Sequence, residues 1–516
     1  MARRSVCVPL IRTAFIFSLV LLSSPAIAQK AVSDSNQVGY PPFGTFSGSN
    51  FDQVAFQNGN LHISIPIQSV TQRNGKTYTW HFVYDIPSWA VIGQYTPNSN
   101  QIAISSVTPC GGPAMCNFNL ADWRLISNQA GWTVSYQNGT VTCSANPTPV
   151  TYGVIDDIVV TDPEGALHPV EMEFANSGSP TNCDNNVTSG LTMDGSGVLV
   201  TGSWPDQQNN YIHFALTLKD GTQITPVIIG AAGGQQPTWE DNNGNQQSAT
   251  ADMLDREPLT VNNAPNTSYT TPLGNQVTGP ASTTWSYYDS NGEEQSFTLN
   301  YQAIDISTHL GCLGTCTQYS ASMLVPATLM LPQSSGTYTF SWQNDDSGEL
   351  TSVGLPTGGS ISYTYQSGPT AFIQKGNDVT CSQTGQDCSF TYLERNAVLS
   401  RTVFDGTSSN KWTYAASYGS SASTTKVTDP LGNQEVHTFS CISCPTFGGS
   451  SYETEVQYYN SSGSLLRTIT KAYAYDGMYA GPGNLPDTAG NVRVTSETTI
   501  LPNGLQKQIQ TDYEIV

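Results

Sequence analysis

Through most of the chain, apolar and polar residues exchange at every second position, in short runs broken by Gly-, Pro- and Asn-bearing segments. That period places alternate side chains on opposite faces of a β-strand. The clearest stretch runs from Tyr338 to Tyr365. Tyr338, Phe340 and Trp342 alternate with Thr339 and Ser341, so the three rings share one face. A polar turn over Asn344-Asp345-Asp346-Ser347-Gly348 precedes a short strand with Thr351, Val353 and Leu355 on one side. A second turn, Pro356-Thr357-Gly358-Gly359, leads into Ile361, Tyr363 and Tyr365, again at every second position. The aromatic pattern returns 23 residues after Trp342, at Tyr365. Such a unit buries one face only by packing on a neighbour, so the pattern predicts stacked hairpin repeats.

The same texture runs along the chain. Val54 to Ile67 reads as two strands around Asn58-Gly59, with Leu61, Ile63, Ile65 and Ile67 on one face and Pro66 placing that strand near an edge. Tyr78, Trp80, Phe82 and Tyr84 share a face after the turn at Arg73-Asn74-Gly75-Lys76. A hairpin is expected around Asn138-Gly139, following Gly131 to Tyr136. Strand–turn–strand signals recur at Asp162-Pro163-Glu164-Gly165, at Leu216 to Ile224 and at Trp239 to Asn245. A soft boundary falls in the Asn-, Thr-, Pro- and Gly-rich stretch from Asn262 to Pro280. The expected organisation is a leader over 1–28, an N-terminal β-rich domain over 29–275 and a β-repeat region over 276–516. The fold class is all-β, with antiparallel hairpins forming a curved strip.

Residues 1–28 read as a secretory signal: Arg3, Arg4 and Arg12 are basic, Ala14 to Leu22 is apolar, and Ala26-Ile27-Ala28 offers a small-x-small cleavage site before Gln29. No later segment has the apolar length needed to cross a bilayer as a helix. The chain is therefore expected outside the cytoplasm, secreted or in the cell envelope. Only 11% of its 516 residues are charged, and the net charge is −21. Removing the three leader arginines deepens that acidity, which disfavours binding to a phosphate backbone. Of eleven cysteines, Cys7 leaves with the leader. The remaining ten fall into neighbouring pairs: Cys110/Cys116, Cys143/Cys183, Cys312/Cys316, Cys381/Cys388 and Cys441/Cys444. An even count in an exported chain favours local disulfides. Cys441-Ile442-Ser443-Cys444 also reads as half a zinc site or a redox pair, although no second C-x-x-C accompanies it.

Catalytic and cofactor motifs are missing: there is no H-E-x-x-H, G-x-S-x-G or G-x-G-x-x-G. Gly75-Lys76-Thr77 has the tail of a phosphate-binding loop, but Val70 stands where a glycine is needed. Asp241, Asn243 and Asn245 have the alternate spacing of a calcium loop without its distal glutamate, and read as a solvated turn. Glu171 and Glu173 share a strand face, as glycosidase carboxylates might, or simply a wet one. His62 and His81 lie inside strands and read as cross-strand packing residues. Trp285, Trp342 and Trp412 are candidates for an aromatic surface that stacks on sugar rings, or for the ladder that joins consecutive strands. No catalytic residue, metal ligand or cofactor is assigned.

Taken together, Gly348-Glu349-Leu350-Thr351-Ser352-Val353-Gly354-Leu355-Pro356-Thr357-Gly358, Tyr288-Asp289-Ser290-Asn291-Gly292 and Asp429-Pro430-Leu431-Gly432-Asn433 resemble the YD-repeat, or RHS (rearrangement hotspot), family. The resemblance covers the second half of the chain, with Asp162-Pro163-Glu164-Gly165 as an echo in the first. It implies a β-strip that spirals into a hollow shell, which in larger relatives encloses a toxin segment or serves adhesion. The expectation is an exported, non-enzymatic scaffold or shell portion, truncated or split, whose partner is the remainder of such a shell or a surface glycan. The alternative is a secreted carbohydrate-binding protein or polysaccharide-active enzyme.

Overall fold

A computed structural model of the chain describes residues 39–72, 75, 77–96, 101–109, 123–127, 131–143, 150–170, 172, 174–175, 188–203, 212–229, 238–248, 259–289, 291–309, 317–366, 380–381, 388–418, 422–441, 451–475, 477–481, 485–490 and 492–513. The protein is all-β and antiparallel. No helix among the described residues is long and apolar enough to cross a membrane. The leader and its cleavage site lie outside the described residues.

One five-residue turn builds much of the architecture. Its first residue donates its N–H to the carbonyl of the fifth, and accepts the N–H of a glycine at the fourth position. This happens at Asp162–Ala166, Leu218–Thr222, Asp241–Asn245, Thr271–Asn275, Asp289–Glu293, Leu355–Gly359, Asp429–Asn433, Asn460–Ser464 and Leu501–Leu505. The fourth residue is always a glycine with φ between 76° and 100°, the left-handed residue that closes a type I turn with a bulge. Where the first residue is Asp or Asn, its side chain also caps the turn: Asp429 Oδ1 accepts the N–H groups of Leu431 and Asn433, and Asn460 Oδ1 that of Ser464. The echo at Asp162 has the same geometry as the repeats of the second half.

These hairpins join into a fifteen-stranded sheet that starts with Thr260–Asn263 and ends with Gln506–Gln510. Tight turns at Asp289, Leu355, Asp429, Asn460 and Leu501 connect alternate strand pairs, so they share one end of the sheet.

Across the outer face the register sets hydroxyl against hydroxyl. Ser341 faces Ser352, Ser352 faces Ser362, and Ser362 faces Thr402. The inner face carries Trp285, Phe297, Leu329, Phe340, Val353, Ile361, Tyr363, Tyr414, Val427 and Phe439, all buried.

What buries them is a second sheet, built from Phe46–Gly48, Asp52–Ala55, Leu61–Thr71, Thr77–Asp85 and Trp123–Ser127. Leu61, Ile63, Ile65, Ile67, Phe82 and Tyr84 belong to the same apolar cluster as the inner face of the long sheet. Phe82 stands 5.4 Å from Trp285, Trp123 4.8 Å from Phe340, and Phe56 6.0 Å from Tyr414. The core therefore runs across the sequence boundary expected near residue 275.

Two smaller sheets form a separate unit with its own apolar cluster, from Val134 to Trp239. One contains Thr133–Cys143, Val150–Thr161, Leu167–Pro169 and Phe174–Ala175; the other runs from Ser189–Leu191 to Gln246–Gln247.

The hairpin expected at Asn138-Gly139 does not form. Thr133–Cys143 passes straight through it, with Asn138 opposite Ile155 and Gly139 opposite Val154. Pairing with a single long partner strand satisfies the whole backbone ladder, and that outweighs the local turn preference.

Glycine positions separate conformational from steric cost. An alanine at Gly463 (φ 81°) meets no atom within 4 Å, so Gly463→Ala should lower unfolding free energy by about 1 kcal/mol, the cost of a left-handed backbone. At Gly59 (φ 69°) an added Cβ would lie 2.4 Å from Ala397 Cβ, and the loss in Gly59→Ala should be about twice as large or more. Urea denaturation of both variants checks the ordering.

Candidate functional site

With so few charged residues, their placement inside the fold is informative. The most enclosed group is Asp52, which is fully buried on the second strand of the inner sheet. Arg401, on the long-sheet strand Ala397–Phe404, donates to it through Nε (2.5 Å) and a terminal nitrogen (2.7 Å), and the Tyr363 hydroxyl donates at 2.8 Å. Both carboxylate oxygens are thus occupied, as a buried charge requires. The Arg401 guanidinium also lies 5.4 Å from the centre of the Trp412 ring. This node fixes the two sheets in one register.

Three histidines are each set between two carboxylates. His62 Nδ1 is 2.9 Å from Asp85 and Nε2 is 3.2 Å from Glu164. Burial alone pulls the His62 imidazolium down, but the charges and hydrogen bonds of Asp85 and Glu164 outweigh it and raise the pKa to about 9. Asp85, which burial would push up, is held at about 2 by His62, Arg124 and Asn60. His168 Nδ1 is 2.6 Å from Asp194 and Nε2 is 3.4 Å from Asp162. His437 Nδ1 is 2.7 Å from Glu453 and Nε2 is 3.3 Å from Glu435. Here too burial lowers the imidazolium pKa and the paired carboxylates more than restore it. A fourth histidine, His81, meets the Ser64 hydroxyl at 2.6 Å, and burial keeps its pKa below the ordinary value. Of the charges acting on His81, Glu164 raises its pKa and His62 lowers it, and Glu164 faces His62 at 3.2 Å. No group of three or more metal-ligating side chains exists among the described residues.

Glu349 is fully buried beside Leu350, which donates its N–H to the Tyr84 hydroxyl. Burial pushes its carboxyl up to about 7, against the pull of Asn396 on Oε1.

The tryptophans singled out in the sequence do not form a common outward platform. Trp285 is 5% exposed inside the shared core. Trp342 packs against the same core and donates Nε1–H to the Pro326 carbonyl at 2.6 Å. Trp412 is half-buried under Arg401. Alternation turns Trp285 and Trp342 toward the inner sheet.

Asp241 caps its turn by accepting the N–H groups of Asn243 and Asn245, and Gly75 closes a turn onto the Gln72 carbonyl. Glu171, Glu173, Cys110, Cys116, Cys183, Cys312, Cys316 and Cys444 lie outside the described residues. Backbone register is described for Cys143 and Cys441, which pair with Val150 and Ser451, and for Cys381, which sits directly opposite Cys388.

No family model matches the chain, and no curated protein matches it. Among solved structures, a Tc holotoxin pore of Photorhabdus luminescens carrying a TccC3 mutation is similar at 10% identity and a TM-score of 0.17, over 88% of this chain and 22% of that one. A TcdB2–TccC3 structure without its hypervariable C-terminal region is similar at 10% identity and a TM-score of 0.19, over 87% of this chain and 25% of that one. The chain thus spans a quarter or less of the chains it matches. Likeness this slight assigns no shared fold.

Two outcomes follow from these clusters. Arg401→Met strands the Asp52 charge and should cost about 3–5 kcal/mol, whereas Asp52→Leu combined with Arg401→Met should recover most of that loss; a double-mutant cycle in urea measures both. Because the folded Glu349 pKa lies above its unfolded value, Glu349 draws stability down as pH rises from about 4.5 to about 7. Glu349→Gln should flatten that fall by about 1–3 kcal/mol in pH-dependent denaturation.

Proposed function

We propose that this protein is an exported, non-enzymatic β-repeat scaffold of RHS type, forming part of a larger shell or an adhesive surface. The observation that carries the reading is the continuous antiparallel strip made from one recurring glycine-closed hairpin. The buried Asp52–Arg401 pair supports it as well, since it joins the inner and long sheets.

The last strands add a site of attachment to this reading. Leu465–Ala474, Arg493–Ile500 and Gln506–Gln510 hold no buried residue, and Leu466, Leu505, Ile509 and Tyr513 are exposed. Beyond Gln506–Gln510 no further strand pairs among the described residues. An added strand of the same repeat type is the partner whose chemistry fits this edge, through main-chain hydrogen bonds and alternating side chains.

Screening the mature protein on a panel of glycans for binding and turnover tests the proposal. No hydrolysis is expected; reproducible hydrolysis would sink the scaffold reading, and saturable binding relieved by free sugar would favour a carbohydrate-binding protein. Export makes a second outcome measurable. Mass spectrometry of secreted material should find Gln29 at the N-terminus and, without reductant, a peptide linking Cys381 to Cys388. A protein that retains residues 1–28 and free thiols at both positions would overturn export to an oxidising compartment.

A further inference from the structure

The unit formed by residues 131–247 has a distinctive junction with the inner sheet. Among the described residues no strand pairing joins the two, and neither principal apolar cluster spans them: one belongs to the inner and long sheets, the other to the unit itself. Polar groups hold the junction at the Asp162–Ala166 turn, while elsewhere the unit meets Phe43 and Val492 at Gly195, where an added Cβ would lie 3.1 Å from the Val492 carbonyl oxygen. Glu164, in the Asp162–Ala166 turn of the unit, faces His62 Nε2 at 3.2 Å. On the other side His62 Nδ1 meets Asp85, which also accepts from Asn60 at 2.7 Å and Arg124 at 2.9 Å. Arg124 reaches across to the Glu164 carbonyl. Gly39 lies so close to that turn that an added Cβ would sit 2.7 Å from the Glu164 carbonyl oxygen.

We propose that His62 is a proton-dependent latch: its imidazolium, held between Asp85 and Glu164, fastens the 131–247 unit to the inner sheet, and loss of its proton in mildly alkaline solution releases the unit as an intact body.

The chemistry is a matter of counting hydrogens. Imidazolium carries two N–H groups, hydrogen-bonding Asp85 through Nδ1 and facing Glu164 through Nε2 as an ion pair at 3.2 Å; neutral imidazole carries one N–H. Once deprotonated, the ring keeps its N–H toward Asp85, where Asn60 and Arg124 anchor the acceptor, and turns a lone pair toward Glu164 Oε2 at 3.2 Å. The buried cluster then changes from two cations and two anions to one cation and two anions. That repulsion falls on Glu164, the carboxylate that the unit sets against His62.

The other groups facing His62 stay fixed through the same range. Tyr40, whose ring is 4.6 Å away, is pushed up to about 12 by burial and by Glu164, Asp85 and Asp52. His81 is held below its ordinary value and is already neutral. A raised histidine pKa stabilises the junction fully below the unfolded value of about 6.5, and this stabilisation is lost as pH climbs through the folded value of about 9. His168 is clamped in the same way between Asp162 and Asp194, but inside the unit, where the second apolar cluster also holds the two small sheets together. It therefore does not release the unit.

The test uses the full mature chain, with small-angle scattering and histidine NMR between pH 7 and pH 10. The radius of gyration should rise reversibly with a midpoint near pH 9, together with the His62 resonance, while the far-ultraviolet β signal is kept. In Glu164→Gln, which removes the carboxylate facing Nε2, the His62 midpoint should fall by a unit or more. In His168→Gln the scattering transition should stay in place. His62→Gln, if it folds, should be expanded at pH 7 with no alkaline step. Constant dimensions while His62 titrates, or a His62 midpoint at or below 6.5, would overturn the latch.

Discussion

A fifteen-stranded sheet cannot remain in water with Trp285, Phe340, Ile361, Tyr414 and Phe439 on one face, and the rest of the molecule answers that constraint. The repeat units supply a ladder of hydrogen bonds and an apolar surface, but no second layer. The second layer comes from the five strands of the inner sheet, between Phe46 and Ser127, which lie against the inner face from Trp285 across to Phe439. Burial of so many rings is the dominant stabilising term. It is also indifferent to register, because one aromatic replaces another at little cost. Register comes from Asp52, whose two oxygens admit Arg401 and Tyr363 in a single arrangement. A slip of one residue would leave a charge buried without a partner, which costs more than the apolar contacts could return.

The scarcity of charge has a structural counterpart on the opposite face. There the solvent meets Ser, Thr, Asn and Gln in registered rows, such as Ser341, Ser352, Ser362 and Thr402. Hydroxyl side chains suit a pleated surface and hydrogen-bond laterally, as Thr364 does with Ser400 at 2.6 Å. Ionised groups are thereby freed for the seams. Asp52 with Arg401 joins the inner and long sheets, Glu453 with His437 ties two neighbouring strands of the long sheet, Asp85 and Glu164 with His62 join the inner sheet to the 131–247 unit, and Asp194 with His168 joins the two sheets of that unit. Thr45 reaches Glu453 from the start of the inner sheet at 3.1 Å, which draws the N-terminal segment into the same scheme.

The strands and turns were legible because they obey local rules. Alternation placed Phe340, Val353, Ile361 and Tyr363 on a buried face, and Gly at the fourth turn position marked Asp289, Leu355 and Asp429 as hairpins. Asn138-Gly139 misled because its turn preference is local, whereas the competing partner strand Val150–Thr161 supplies hydrogen bonds along its whole length. The seam clusters were illegible for a different reason. Asp52 and Arg401 are 349 residues apart, and His62 and Glu164 meet only when two separate sheets dock. A weaker signal was present: in a chain with 11% charged residues, Asp52, Asp85 and Glu453 occupy strand positions directly after an aromatic residue, and Arg401 stands between Leu399 and Val403 on the alternation of its strand. A charge in such a place must have a partner, even when the sequence does not say which.

The far edge of the strip shows what happens where the second layer stops. From Leu465 onward the inner face carries Arg467, Ile469 and Lys471, then Glu497 and Thr499, then Lys507 and Ile509, so that apolar and charged side chains share one surface. Arg467 lies over the Tyr458 ring at 4.1 Å and Lys471 pairs with Glu453, which screens part of the exposed apolar area with flexible stems. The final strand presents Gln506, Gln508 and Gln510 on its other side. Polar side chains and a lysine are the usual means of keeping an exposed edge from pairing indiscriminately. Gln506–Gln510 pairs on one side, with Arg493–Ile500, among the described residues, and its alternation of glutamine with lysine and isoleucine gives the two faces of that strand different character.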